Sequence, residues 1–278
     1  MTYGSLFAGI GGFDIGFEKA GWQGLWQVEI DPINRAVLAD RFPGTLQLSD
    51  VRNAGARNLS PVDCLAFGSP CTNLSAMGTC TERKGFDGPE SGLFREALRI
   101  IDEIRPAWVV FENVPGLLNS RSGKDAQILI SEFAKRNYLG FARVLDAQYF
   151  GVPQGRRRLF LVAGLGCYPP MEFLADAGSV ESLRRSLGEE PERVGDFWLA
   201  YTLTAPPREK GCRINLCAET LVAEPDAWSE MVKRERTSQA HGFCLGLDAS
   251  SAAEAFSAGN AVCPAIAYWI ARILGGAK

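Results

Sequence analysis

Short apolar runs alternate with segments of helical periodicity along the first 165 residues of the chain. The apolar runs predict strands, which are YGSLFAG (3–9), GLWQVEI (24–30), TLQLSD (45–50), VDCLAFGSP (62–70) and AWVVFENV (107–114). Apolar positions at helical spacing predict helices over 13–21, 32–42, 92–106 and 125–140. FARVLDAQYFGVP and RRLFLVAGL follow and predict a hairpin. Strands that alternate with helices indicate an α/β fold whose doubly wound, mostly parallel sheet has helices on both faces.

The periodic pattern weakens after Gly166 and returns only near the end of the chain. Residues 167–255 contain many prolines and glycines and four cysteines, which predicts a smaller and irregular second region. The apolar segment 260–274 predicts a helix that starts near Pro264 and packs back on the first domain. We therefore expect one domain from residues 1–166 plus 256–278 and a second region from 167–255.

Composition excludes several classes of protein. A net charge of −3 and a pI of about 5.4 argue against general nucleic-acid binding, although basic clusters occur at 155–158, 207–213 and 232–236. No apolar run approaches the ~18 residues of a membrane span, and no basic segment precedes the first apolar stretch. A cytoplasmic protein without membrane contact is expected, with its eight cysteines as thiols. The chain has no CxxC spacing and one histidine, so we predict no metal site.

The glycine-rich segment FAGIGG (7–12) lies between a predicted strand and a predicted helix. Glycines there allow a sharp turn and a close approach of the backbone to a ligand. Glu29 ends the next strand, 20 residues after Gly9, where a carboxylate can bind ribose hydroxyls. Asp50 ends the third strand and could reach an adenine amino group. An adenosine-containing ligand is predicted. NAD and S-adenosylmethionine both fit, and the lack of a third glycine favours the ligand without a pyrophosphate.

A thiol, an acid and two arginines are predicted to meet at the same edge of the sheet. Cys71 follows the fourth strand, Glu112 ends the fifth, and Arg156 and Arg158 share one face of a later strand. Taken singly they could be a buried cysteine, a salt-bridged acid and a solvated edge. Together they are what nucleophilic addition to an electron-poor ring requires, since cations lower a thiol pKa and hold negative oxygens.

The segments that carry these residues resemble the DNA cytosine-5 methyltransferases, especially the small bacterial and phage members. SLFAGIGGFDIGFEKAGW, GSPCTNLS, SGLF, FENVPGLL, QGRRRLF and GNAV occur in the order and spacing of that family. They cover residues 3–165 densely and resume at 256–274. The resemblance implies a Rossmann-like domain that binds S-adenosyl-L-methionine, with a small target-recognition region at 167–255. It implies a cofactor pocket lined by Phe7, Gly9, Gly11, Glu29, Asp50, Leu93 and Asn260.

The resemblance also assigns catalytic roles. Cys71 would add to C6 of a flipped-out cytosine, Glu112 would protonate N3, and Arg158 would contact O2 with support from Arg156. The substrate side would further include Pro70, Ser75, Asn113 and Gln154, with Ser75 on a phosphate in a closing loop over 72–92. The implied partner is double-stranded DNA, bound by a monomer in a bacterial or phage-infected cell. A cognate restriction enzyme is a further partner of such methylases.

The chain departs from the family pattern at four places. Ser5 replaces the usual acid before LF, and Thr72 replaces the usual glutamine after the catalytic cysteine. The recognition region is short, with Arg208, Lys210 and Arg213 as candidate DNA contacts, and the usual segment before GNAV is missing. Three other functions stay open: a tRNA cytosine-5 methyltransferase, a catalytically silent protein that binds DNA and cofactor, and an NAD-dependent oxidoreductase.

Overall fold

The computed structural model describes residues 1–68, 91–150, 155–174 and 261–276, together with two short strands at 193–194 and 197–198. Within these ranges the strands are β1 Thr2–Leu6, β2 Gln23–Val28, β3 Leu46–Leu48, β4 Cys64–Gly68, β5 Trp108–Asn113, β6 Tyr138–Asp146, β7 Arg157–Leu165, β8 Arg193–Val194 and β9 Phe197–Trp198. The α-helices are α1 Gly12–Lys19, α2 Pro32–Arg41, α3 Ser91–Ile104, α4 Lys124–Ala134 and α5 Pro264–Gly275.

All described strands form one sheet in the order β3-β2-β1-β4-β5-β7-β6-β9-β8. β1 to β5 are parallel, whereas β7 runs antiparallel to both β5 and β6. β2 and β3 are added in turn on one side of β1. After β3 the chain crosses over, and β4 and β5 are added in turn on the other side of β1. The carboxyl ends of β1 and β4 therefore flank the crevice in which such sheets bind ligands. This confirms the predicted doubly wound α/β fold and the β6–β7 hairpin.

The sheet has a hydrophobic core on each face. Along β4, Leu65 and Phe67 belong to one cluster with residues of α3 and α4, while Cys64 and Ala66 belong to the other with residues of α1 and α5. All four side chains are completely buried. A strand covered on both faces is apolar at every position, which is why β4 is a continuous apolar run in the sequence.

The last helix was predicted to pack back on the first domain, and it packs closely on α1. Gly16 of α1 lies against α5, and a Cβ at this position would be 2.5 Å from the Cβ of Ala267. A Cβ at Gly12 would be 2.3 Å from the carbonyl oxygen of Val262. Small residues on α1 therefore bring the C-terminal helix next to the turn between β1 and α1.

Several element boundaries differ from the sequence prediction by a few residues, and at two of them a left-handed residue follows the end of the element. β1 ends at Leu6 because Phe7 adopts a left-handed conformation with φ 53°. Helix α4 was predicted to reach residue 140, but it ends at Ala134, and Asn137 takes a left-handed φ of 64° before β6 begins at Tyr138. The helical spacing of apolar residues continues past this point, so periodicity alone could not locate the end of the helix.

Part of the region after residue 167 is attached to the sheet. Phe173 is completely buried, and its carbonyl oxygen accepts a hydrogen bond of 3.1 Å from Nη1 of Arg143. β9 pairs with β6 through Phe141 and Trp198. The division into 1–166 plus 256–278 and 167–255 remains a prediction. Within the described residues, no helix is both long and apolar enough to cross a membrane.

Candidate active site

A left-handed turn connects β1 to α1. Phe7, Gly9 and Gly11 have φ values of 53°, 57° and 88°, a region that glycine enters at little cost. The amide of Ala8 donates to the carbonyl of Val28, and that of Gly11 donates to Ala8, at 3.1 and 3.0 Å. Among the described residues, no atom lies within 4 Å of a Cβ built on Gly9, so this turn borders open space in that part of the chain. The turn therefore leaves room for a ligand over its backbone.

Glu29 faces this turn from the end of β2. Its carboxylate is buried, with Oε2 accepting from the Gly9 amide at 2.7 Å and Oε1 from the Asp31 amide at 2.9 Å. The glycine turn and Glu29, which the sequence predicts to share one crevice, are thus joined by a direct hydrogen bond. Ile30, which sequence reasoning did not select, is 64% exposed beside it. The available signal in the sequence was an isoleucine directly after a predicted site acid, where it could form an apolar side of the ligand pocket.

Three further predicted cofactor residues, Phe7, Asp50 and Leu93, lie around the same edge. Phe7 and Leu93 are half-buried and pack against one core cluster. Asp50 caps the short helical turn Val51–Asn53, and its carboxylate forms an ion pair with Arg52 at 2.8 Å. Hydrogen bonds from Arg52 lower the pKa of Asp50. Asp50 therefore stays ionised and can accept a hydrogen bond from an amino group.

A buried polar cluster of Ser5, Asp14 and Gln27 lies next to the glycine turn. Asp14 of α1 is fully buried and accepts hydrogen bonds of 2.9 Å from Ser5 Oγ and from Gln27 Nε2. Burial raises the pKa of Asp14 to about 6, although both hydrogen bonds oppose this. The cluster links β1, α1 and β2, the elements that place the glycine turn and Glu29. The sequence analysis did not select Asp14. The available signal was a carboxylate on the apolar face of a predicted helix, where it must have buried hydrogen-bond partners.

Glu112 is the penultimate residue of β5, at the centre of the sheet edge. It is 6% exposed, and in the β4–β5 ladder it lies directly opposite Gly68. Burial raises the pKa of Glu112 to about 7, while the charges of Arg158 and Arg156 act in the opposite direction. Arg158 Nε lies 3.1 Å from Oε1, but at an angle unsuitable for a hydrogen bond. A carboxyl group that carries its proton near neutral pH is suited to act as an acid.

The two arginines follow one another along the same extended segment. Arg158 lies in β7 and faces Glu112, whereas Arg156 precedes β7 and donates from Nη2 to the carbonyl of Ala261 at 2.8 Å. The Arg156 amide also donates to Asp146 at 2.9 Å. Arg156 thereby connects the strand edge to the segment that enters α5. The amide of Val114 donates to Asn113 Oδ1 at 2.8 Å, which shapes the chain after β5.

The structure brings together the predicted acid and both arginines, and separately the predicted glycine turn with Glu29. Gly68, the last described residue of β4, lies beside Glu112, and Cys71 is three residues further along the chain. The remaining predicted site residues lie outside the described ranges. These are Pro70, Cys71, Ser75, Gln154, Arg208, Lys210, Arg213 and Asn260.

Comparison with known proteins identifies the family. The model of the C-5 cytosine-specific DNA methylases matches residues 1–181. The type II methyltransferase M2.BsuMI of Bacillus subtilis is 28% identical over the whole chain and 76% of its own length. M.MspI of Moraxella is 36% identical over 60% of the chain, and M.Bsp6I of a Bacillus species is 35% identical over 58%. The chain spans about two-fifths of M.MspI and half of M.Bsp6I.

A solved structure supports the same conclusion. A DNA modification methyltransferase encoded within an E. coli prophage has a TM-score of 0.50 and 25% identity, covering 59% of this chain and 47% of its own. The methyl donor of these enzymes is S-adenosyl-L-methionine, which confirms the predicted cofactor. The chain therefore belongs to the C-5 cytosine-specific DNA methylases, a family of DNA (cytosine-5-)-methyltransferases.

Proposed function

We propose that this protein methylates C5 of cytosine in double-stranded DNA through a covalent bond between Cys71 and C6. The observation that carries the proposal is the burial of the Glu112 carboxyl at the edge of the sheet, which raises its pKa to about 7. The carboxyl lies beside two arginines and next to the strand that leads to Cys71. A neutral acid, fixed cations and a thiol form the set that activation of a cytosine ring needs.

The residues at the carboxyl ends of β1 to β3 fit S-adenosyl-L-methionine. The open space at Gly9 admits a ligand close to the backbone, and Glu29 keeps lone pairs for the ribose hydroxyls. Ile30, Phe7 and Leu93 would supply apolar contact for the adenine, with Asp50 as acceptor for its amino group. When bound, S-adenosyl-L-methionine supplies an electrophilic methyl group. Gly11 and Asn260 complete the proposed pocket.

Proton donation from Glu112 makes the ring reactive. Cytosine C6 is a weak electrophile, but a proton placed on N3 draws electrons from the C5–C6 bond. Arg158 would hold O2 of the base, and the Cys71 thiolate would then add to C6. The electron pair moves to C5, which takes up the methyl group. Water would then take the C5 proton, which re-forms the C5–C6 double bond and expels the Cys71 thiolate. N3 would return its proton to Glu112, so that neutral 5-methylcytosine leaves.

The target base must leave the helix before this chemistry can occur, because stacking in a duplex hides C6 from a thiol. Ser75 would hold a phosphate, while Pro70, Asn113 and Gln154 would shape the site around the flipped base. Residues 167–255 would read the sequence, with Arg208, Lys210 and Arg213 on the DNA. A monomeric enzyme paired with a cognate restriction enzyme is part of the same proposal.

Methyl transfer can be measured directly. The full chain is incubated with methyl-labelled S-adenosylmethionine and either unmethylated genomic DNA or total tRNA, and the digested products are analysed for methylated bases. We expect 5-methylcytosine from DNA alone. Cys71→Ala should abolish it, whereas Cys167→Ala, which changes an exposed free thiol, should not.

A second assay tests the covalent step. DNA with 5-fluorocytosine at target sites should trap the wild type, because fluorine at C5 cannot leave as a proton does. The adduct should survive denaturation and should be absent with Cys71→Ala. Label in tRNA alone would instead make the protein a tRNA methyltransferase. DNA methylation that persists in Cys71→Ala would contradict the proposed mechanism.

A further inference from the structure

Gly68 faces the Glu112 carboxylate across two neighbouring strands. The two residues are direct partners in the parallel β4–β5 ladder. A Cβ at Gly68 would lie 2.9 Å from Oε2 of Glu112, closer than real Cβ contacts. The next atoms are the carbonyl oxygen and Cβ of Glu112, at 3.5 and 4.0 Å. All three nearest neighbours of the missing methyl group thus belong to Glu112.

Other strand glycines in the described chain have different neighbours. A Cβ at Gly4 would be 2.2 Å from the indole of Trp26, and one at Gly164 would be 2.5 Å from the ring of Trp108. Those aromatic rings are fixed in or against the core, so a side chain there would disturb packing. At Gly68 the obstacle is the end of a flexible side chain. A methyl group at Gly68 would therefore leave the strand intact and move the carboxylate.

The Glu112 carboxylate is consequently bounded on two sides. Oε2 lies toward the bare backbone of Gly68, and Oε1 lies 3.1 Å from Nε of Arg158. We propose that Gly68 is a positioning residue, whose missing side chain lets the Glu112 carboxyl lie flat against β4 and face the reacting base. The proposal rests on the proposed function, since it specifies how the acid of that same site is placed. It gives the glycine of the GSPC segment a role apart from turn formation.

The expected effect is on the chemical step and not on cofactor binding. Of the described atoms, the three nearest a Cβ at Gly68 all belong to Glu112 and none to the predicted cofactor residues, so Gly68→Ala should leave the dissociation constant of S-adenosylmethionine unchanged. The rate of methyl transfer should fall about tenfold to hundredfold, the range typical of a reacting group displaced by about 1 Å. The pH profile of the rate should also shift, because the displaced carboxyl changes its distance from Arg158. Gly44→Ala is the matched control, since a Cβ at Gly44 has no described residue within 4 Å.

A mutant cycle on unfolding tests the contact without using activity. Gly68→Ala is introduced into the wild type, Glu112→Gln and Glu112→Ala, and urea midpoints are compared. Alanine is favoured over glycine in a strand, so the midpoint should rise in Glu112→Ala, where no side-chain end is displaced. The gain should be smaller or absent in the wild type and in Glu112→Gln, whose side chain has the same length.

The two kinds of failure can be told apart. Absence of DNA methylation by the wild type would refute the proposed function, and the mutant cycle would still decide whether Gly68 and Glu112 are coupled. The positioning role is overturned if Gly68→Ala methylates DNA at the wild-type rate and pH profile. It is equally overturned if Gly68→Ala changes the midpoint by the same amount in all three backgrounds.

Discussion

Glu112→Gln is expected to stabilise the fold at alkaline pH while it abolishes methylation. The carboxyl group is buried, and burial raises its pKa from 4.5 to about 7. The folded protein therefore binds this proton more tightly than the unfolded chain does. Below pH 4.5 the group is protonated in both states and its pKa difference contributes nothing. Between pH 4.5 and 7 the unfolded chain loses the proton first, so the stability of the wild type falls as pH rises.

The magnitude follows from the two pKa values. One pKa unit corresponds to 1.36 kcal/mol, so at pH values above 7 the buried carboxylate should destabilise the wild type by about 3 kcal/mol. The attraction of Arg158 and Arg156 is already contained in this pKa. Glutamine has the same shape without a charge to bury. Glu112→Gln should therefore lack the free-energy cost of a buried charge, and it should lose only the proton that the reaction requires.

Urea unfolding at pH 5 and pH 8.5, followed by tryptophan fluorescence, measures the effect. The stability difference between Glu112→Gln and the wild type should be small at pH 5 and about 3 kcal/mol at pH 8.5. Glu132→Gln is a control of opposite sign, since Lys135 and Arg136 lower the pKa of Glu132. A Glu112→Gln variant that is no more stable than the wild type at pH 8.5 would refute the reasoning.

Two further substitutions test the cofactor side of the site. Glu29→Gln should weaken binding of S-adenosylmethionine about tenfold to hundredfold in calorimetry, because hydrogen bonds to charged groups contribute about 1.5–3 kcal/mol. In the variant, the glutamine amide nitrogen would face a backbone N–H that now donates to a carboxylate oxygen. An unchanged dissociation constant would contradict this. Asp14→Ala should lower the free energy of unfolding by about 2–3 kcal/mol, since Ser5 and Gln27 would lose a buried acceptor. Asp14→Asn keeps an acceptor oxygen and removes a buried charge, so it should be far milder at pH 8. Equal losses for the two Asp14 variants in urea unfolding would show that the cluster does not act through its hydrogen bonds.

Strand and helix order could be predicted from the sequence because both are local patterns. β4 is apolar at successive positions since both of its faces are covered, and α2 starts at Pro32 after the capping carboxylate of Asp31. The end of α4 could not be predicted, because the left-handed turn at Asn137 interrupts a helical pattern that continues in the sequence. Where the sequence allows both a longer helix and a left-handed turn, the packing of the folded chain decides which of them forms.

Part of the candidate site was also predictable. A strand, a glycine turn and an acid 20 residues later predict that Gly9 and Glu29 lie in one crevice, and the structure joins them by a hydrogen bond of 2.7 Å. The pair of arginines two residues apart predicted one face of an extended segment, from which Arg158 reaches Glu112. These predictions succeed because each depends on the short-range geometry of a strand and its end.

The sequence by itself determined the order of the elements and the residues at the carboxyl edge of the sheet. Only the tertiary structure decided that Gly68 lies opposite Glu112, that Asp14 is buried between Ser5 and Gln27, and that Arg156 binds the chain before α5. These contacts join residues on separate elements, so they depend on strand register and helix packing. The raised pKa of Glu112 has the same origin, because desolvation is a property of everything packed around a group and not of its neighbours in the chain.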